Sequence, residues 1–244
     1  MDLVTVTINH KGKTLPFTAV RSENQIAILK RIFDNICYPR LDFIAGEVST
    51  VIDAGANIGS AALYLAFSYP MARILAYEPV KRTFDILARN AALEARIVPI
   101  HAGLSDAAGE ATIHFGGLGG ETSSLFAGFE TFPVTETVTL RRAADEFAAA
   151  VGEAPGWVVL KLDTEGMELP ILKDLLPQLE RVAAVYLEYH SEADRVAIER
   201  LLTDHGFALF AGAANQPHRG ELTYVRGRLI SERSNWDRYA IQRT

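Results

Sequence analysis

VIDAGANIGS, residues 51–60, is the stretch whose reading decides the fold. An apolar run of strand character ends at Asp53, and the spacing Gly55-x-x-x-Gly59 then opens a helix. A strand passing through a glycine turn into a helix N-terminus is a common seat for a nucleotide-like ligand. Gly55 has no Cβ to block a ligand's approach, and Gly59 lets the helix start pack against the strand. Asn57 stands where many such turns carry a middle glycine, and asparagine tolerates left-handed backbone angles better than most side chains. Any tight strand-to-helix connection can contain such glycines, so the following strands must decide.

The next strand, RILAYEP (73–79), ends in Glu78 at about the spacing where a carboxylate accepts hydrogen bonds from ribose hydroxyls. Ala56 and Pro79 flank these two strand ends and join the expected cofactor contacts. A third strand leads into HAGLSDAAGE (101–110), where Ser105 and Asp106 either reach an adenine or act as plain turn residues. A ribose-binding carboxylate alone does not separate NAD from S-adenosylmethionine, since both carry adenosine.

Outward from this motif, strands at 50–52, 74–77, 97–101, 157–163 and 182–189 alternate with helices at 58–67, 82–93, 167–179 and 191–202. That alternation predicts right-handed βαβ units and a parallel sheet. Strands at 207–210 and 222–225, joined by the loop GAANQPHRG (212–220), predict an antiparallel pair closing the sheet. Strands at 111–115 and 135–140 enclose a glycine-rich stretch, residues 116–130, that reads as a mobile loop. Residues 1–46 read as an addition, a hairpin (Val4–Ile8 with Leu15–Val20) and a helix from Ser22 to Ile36, that helps build a substrate pocket. Residues 47–244 form the ligand-binding domain.

Composition narrows the function classes. Lys and Arg number 24 against 30 Asp and Glu, a net charge of -6 without a long run of one sign, so no nucleic-acid partner is expected. Cys37 is the only cysteine; it excludes an intrachain disulfide, reads as a packed, inert thiol, and fits a cytoplasmic setting. No segment has the length and apolarity of a membrane span. Oligomeric state cannot be read from these residues.

Four motifs in order, VIDAGANIGS, AYEP (76–79), LKLDTEGMELPIL (160–172) and YLEYH (186–190), resemble the FkbM family of methyltransferases over roughly residues 48 to 210. The resemblance implies a class I methyltransferase fold: a Rossmann-like, mostly parallel, seven-stranded sheet with helices on both faces. It implies transfer of a methyl group from S-adenosylmethionine to a hydroxyl oxygen of a sugar, glycoside, polyketide or other small molecule. Carried over by position, Asp53, Gly55, Asn57 and Gly59 surround the methionine and ribose, Glu78 takes the ribose, and Asp106 the adenine.

Methyl transfer to oxygen needs alignment and a base for the acceptor proton. Asp163 and Glu165 end one central strand and Glu188 and His190 the next, where adjacent parallel strands converge on a crevice. Asp163, Glu188 and His190 are therefore the expected catalytic set, with Asp163 also near the cofactor. His190 is the natural candidate base, and its alternative is a hydrogen-bonding or capping role at the strand end. Glu188, in the otherwise apolar AVYLEYH, needs a partner or a task. These three residues also form a candidate ligand set for Mg²⁺ or Mn²⁺, although the metal is not the favoured reading. Lys161 and Glu168 read as supports rather than catalysts, and Tyr38, Phe126, Phe129, Phe132, Ser123 and Ser124 as candidate substrate cover or plain packing. Two other classes compete: an NAD-dependent oxidoreductase, which leaves Asp163-x-Glu165-Gly166-x-Glu168 without a purpose, and a non-catalytic protein with a degenerate methyltransferase fold.

Overall fold

A seven-stranded sheet separates two hydrophobic cores. The computed structural model describes residues 2–10, 12–115, 123–124, 134–152, 155–216 and 218–233. Phe126, Phe129, Phe132 and nearly all of the expected mobile loop lie outside them; Ser123 and Ser124 are described only as strand.

The hairpin β1 (Leu3–His10) and β2 (Lys13–Val20) and helix α1 (Glu23–Phe33) precede β3 (Val48–Ala54), α2 (Ser60–Ser68), β4 (Arg73–Tyr77), α3 (Lys81–Ala91) and β5 (Ile97–Ile100). A separate four-stranded sheet follows, built from β6 (Gly103–Ser105), β7 (Gly109–Phe115), β8 (Ser123–Ser124) and β9 (Val134–Arg142). Helix α4 (Ala143–Val151) leads to β10 (Trp157–Leu162), α5 (Glu168–Asp174), a 3-10 helix (Leu176–Arg181), β11 (Val182–Tyr189) and α6 (Glu192–Asp204). Strands β12 (Phe207–Gln216) and β13 (Arg219–Arg226) and helix α7 (Gly227–Arg233) close the described chain.

Alternate residues of the central strands enter different cores, as period-two side chains must. Val51, Ile74, Val159 and Ala184 join one core; Ile52, Leu75, Leu160 and Val185 join the other. With both faces covered, the parallel strands read as nearly continuous apolar runs. The strand order is β12-β13-β11-β10-β3-β4-β5, and β13 alone runs antiparallel to its neighbours. This is the mostly parallel, Rossmann-like sheet expected from the sequence. From β3 the chain runs outward through β4 to β5 and later returns to β10 on the other side of β3, so the topological switch point lies between β3 and β10.

Local chemistry explains the element ends. Ser22 and Ser191 cap α1 and α6, accepting from Gln25 N at 3.1 Å and Asp194 N at 3.0 Å. The helix expected to run to Leu179 breaks after Asp174, because Pro177 has no N–H to donate and disfavours helical angles at Leu176. The expected loop 212–220 is mostly strand, its pairing continuing out to Gln216 with Arg219. Helix α4 was not expected from AADEFAAAV, where apolar residues at nearly every position hide the helical stripe. Phe17, Leu29 and Ile32 of the N-terminal segment share a core with α2 and α3. Asn90 ties β2 to the glycine turn, donating to Thr18 O and Ile58 O at 2.8 Å each. Among the described residues no helix is long and apolar enough to cross a membrane.

Gly55 and Gly12 share nearly the same left-handed backbone, φ 78° and 79°, but a Cβ on Gly55 would lie 1.8 Å from Asp163 O, whereas one on Gly12 meets nothing within 4 Å. Urea unfolding should therefore show Gly12→Ala losing about 1 kcal/mol and Gly55→Ala at least about 3 kcal/mol. Equal losses would contradict the close crossing of the two loops.

Candidate active site

At the C-terminal ends of β3, β4, β10 and β11 an open cleft of about 470 Å³ lies over the switch point. Its floor is organised by Lys161. Parallel pairing sets Lys161 of β10 beside Asp53 of β3, on the same face. Lys161 Nζ lies 3.1 Å from Asp53 Oδ1, an ion pair not aligned as a hydrogen bond, and 3.4 Å from Asp163 Oδ2. It also donates to Gly55 O at 2.6 Å. Both members of the Lys161 and Asp53 pair are buried. Burial pushes the Asp53 carboxyl up and Lys161 pulls it back; burial pulls the ammonium down, but Asp53 and Asp163 outweigh this and raise it. The ammonium thus stays charged and joins the glycine turn to the loop after β10.

One half of the cleft is made by β3 and β4. Gly55, Asn57 and Gly59 all take left-handed angles, φ 78°, 49° and 90°. Asn57 adopts this conformation as expected, with Oδ1 accepting from Ile58 N at 2.8 Å. The two glycine roles read from the sequence need correction. Gly55 is required by the approach of Asp163 O, and Gly59 packs α2 against Leu87 of α3, where a Cβ would fall 2.9 Å from Leu87 Cδ1. Glu78 is buried, yet lines the cleft; Oε2 accepts from Asn57 N at 3.0 Å and Oε1 from Val80 N at 2.9 Å. A carboxylate has about four lone-pair sites, so two remain for a ligand's hydroxyls. Burial pushes its carboxyl up to about 7, against the pull of those backbone N–H groups.

The other half is made by β10, β11, β13 and α1. Asp163, Glu165 and Glu188 line it from below, and Asn24, Arg31 and Tyr38 from the N-terminal segment. Arg31 Nη2 reaches across to Glu221 Oε2 at 3.1 Å, and Arg219 Nη2 stands 3.6 Å from Glu165 Oε2. Behind this wall His190 sits among carboxylates, Nε2 3.3 Å from Glu165 Oε2 and 4.0 Å from Glu188 Oε1, Nδ1 3.5 Å from Glu168 Oε1. Glu168 is itself pinned by Thr164 N at 2.7 Å and Gly166 N at 3.0 Å. Burial lowers the affinity of His190 for its proton, but Glu168, Glu165 and Asp163 prevail and raise it to about 9. Burial first, and neighbouring carboxylates next, push Glu188 up to about 8; burial pushes Glu165 up to about 7.

Of the residues expected to contact a cofactor, Gly55, Ala56, Asn57, Glu78, Pro79 and Asp163 line the cleft. Asp53 and Gly59 lie beneath it, and Ser105 and Asp106 are not among its lining. The chain after β5 bends into β6, which pairs with β9; Ser105 is buried there and Asp106 is exposed, so Gly103 and Leu104 face the cleft instead. Glu188 and Asp163 face it directly, whereas His190 does not line it. Arg31, Arg219, Glu221 and the apolar Ile113 and Leu140 were missed, since no local spacing marks residues assembled from α1, β13, β7 and β9. Cys37 is buried, its thiol pushed up to about 12 by burial and Glu221, which suits the inert reading.

Residues 53–209 match the family profile described as "Methyltransferase FkbM domain". "Methyltransferase sdnD" of Sordaria araneosa is 33% identical over 224 residues, covering 79% of this chain and 86% of the relative. "Hexuronic acid methyltransferase AglP" of Haloferax volcanii is 29% identical over 162 residues, covering 66% of this chain and 64% of the relative. Among solved structures, precorrin-6y C5,15-methyltransferase from Geobacter metallireducens superposes with a TM-score of 0.47 at 11% identity, covering 86% of this chain and 93% of that one.

Removing Lys161 strands a buried carboxylate, so Lys161→Met should cost about 3–5 kcal/mol in chemical denaturation. Neutralising its partner as well, in Lys161→Met/Asp53→Asn, should recover at least about half of that. Additive losses in the double variant would show that the pair does not act as one unit.

Proposed function

The chain belongs to the FkbM family of S-adenosylmethionine-dependent methyltransferases, and from that premise we propose that it methylates a hydroxyl oxygen of a small polar acceptor, with sugars and glycosides the favoured class. The observation carrying this reading is the pair Asp163 and Glu188, carboxylates at the ends of adjacent strands that face the cleft beneath α1. A bound S-adenosylmethionine supplies an electrophilic methyl group, and a hydroxyl acceptor then needs to be aligned and to lose its proton.

The cleft fits the nucleoside. Glu78 offers free lone pairs to ribose hydroxyls, the Gly55 to Asn57 turn presents backbone, and Leu104, Ile113 and Leu140 offer an apolar wall to an adenine. We assign proton removal to Glu188, which faces the cleft, and alignment of the acceptor to Asp163, which Lys161 holds. His190 acts through Glu165 and Glu188 as a positioning residue, because it stands behind the wall. The N-terminal hairpin and helix, residues 1–46, select the acceptor through Asn24, Gln25 and Arg31. A polar lining of amide, guanidinium and carboxylate groups suits hydroxyl-rich ligands, and the name of the Haloferax volcanii relative, a hexuronic acid methyltransferase, points the same way.

Incubating the full chain with methyl-labelled S-adenosylmethionine and a panel of sugars, uronic acids, glycosides, polyketide alcohols and peptides tests the proposal. Locating the label by NMR should reveal a methyl ether, and in the same assay Glu188→Gln should lower kcat about 10²- to 10⁴-fold. A methyl ester, N-methyl or C-methyl product as the main product would overturn it.

A further inference from the structure

We infer that Asp163, Glu165 and His190 form a divalent-cation site, of the kind that takes Mg²⁺ or Mn²⁺, at the acceptor end of the cleft. Each offers one ligand atom, and these atoms lie within 4.8 Å of one another. An ion with bonds of about 2.1 Å spans about 4.2 Å between opposite ligands, so a small carboxylate rotation closes the set. Two carboxylates and one imidazole suit these ions better than a thiol-preferring one. Glu188, expected from the sequence in place of Glu165, is outside this converging group.

The second observation is the state of His190. Its side chain is 10% exposed, and among the described residues neither ring nitrogen makes an aligned hydrogen bond. Leaving a buried ring nitrogen without such a partner is unfavourable, and a metal on Nε2, taking the place of the proton that the carboxylates hold there and releasing it to solvent, removes the penalty. Nδ1 faces Glu168 Oε1 at 3.5 Å, the carboxylate–histidine arrangement that orients a ring for a metal on its other nitrogen. Glu168 in turn accepts from Thr164 N, Thr164 Oγ1 and Gly166 N.

Charge and strain agree. Asp163, Glu165 and Glu168 gather here, with Glu188 Oε1 4.0 Å from His190 Nε2, while Lys161 is shared with Asp53 and Arg219 is 40% exposed at 3.6 Å from Glu165. A dication offsets this excess. Glu165 holds a left-handed backbone, φ 56°, a strained arrangement that persists where surroundings demand it. Asp163 and Glu165 line the cleft, so a cation held by them would stand within reach of an acceptor oxygen and would acidify its hydroxyl; that consequence, unlike the site, rests on the hydroxyl-methylation reading.

The test is a Mn²⁺ titration of the full chain, without cofactor or acceptor, followed by electron paramagnetic resonance of the free ion. One Mn²⁺ per chain is expected, with affinity falling at least about tenfold in both Glu165→Gln and His190→Gln, and unchanged in Glu192→Gln, an exposed carboxylate on α6. Absence of a saturable site at one per chain, or undiminished binding in Glu165→Gln, overturns the inference. S-adenosylhomocysteine binding and label transfer in the presence of a chelator are measured alongside: their persistence without any Mn²⁺ site removes the metal and leaves the methyltransferase intact.

Discussion

The buried ammonium of Lys161 is the contact on which the cleft depends. It faces Asp53 beneath the glycine turn, Asp163 at the end of β10, and the carbonyl of Gly55 between them. Parallel register makes this meeting unavoidable, because Lys161 and Asp53 are direct neighbours across β10 and β3. The loops after the two strands then cross so closely that only glycine fits at position 55. A buried ion pair contributes little net stability compared with apolar packing, but it fixes one arrangement strongly, since either charge left alone is costly. What it fixes here is the relative position of the two halves of the cleft.

The two halves differ in construction. The half at β3 and β4 is made from adjacent strand ends and a helix start, with Glu78 held by backbone N–H groups of Asn57 and Val80. The other half draws on parts far apart in sequence: α1 supplies Arg31, β13 supplies Arg219 and Glu221, and the loop after β10 supplies Glu165. A locally built half beside a composite one is an arrangement by which one fold can serve many ligands.

This difference also explains what could be read in advance. The turn at 51–60 was legible because its chemistry is local, in glycine and asparagine at left-handed angles. Glu78, Asp163 and Glu188 were legible because charged residues closing apolar strands stand out at the carboxyl edge of a parallel sheet. The reason for Gly55 was not legible, since the atom that demands it belongs to Asp163, on a different strand. Nor was the setting of His190, whose neighbours Glu165 and Glu168 approach only through the left-handed bend at Glu165 and the turn at Gly166. Ser105 and Asp106 are not in the cleft lining because the third strand does not end freely: the chain continues into β6, which pairs with β9, and there Ser105 is buried and Asp106 exposed.

The most direct measurement of the central claim, that Glu78 holds the nucleoside, is calorimetric binding of S-adenosylhomocysteine to the parent and to Glu78→Gln at pH 6 and pH 8. In the free protein burial raises the Glu78 carboxyl to about 7, so it is mostly protonated at the lower pH and mostly ionised at the higher. Ribose hydroxyls donate best to the ionised form, so affinity should rise with pH, by up to about tenfold over this interval, and the rise should be lost in Glu78→Gln. A dissociation constant that does not change with pH in the parent, or a Glu78→Gln variant that binds and titrates as the parent does, would contradict the account.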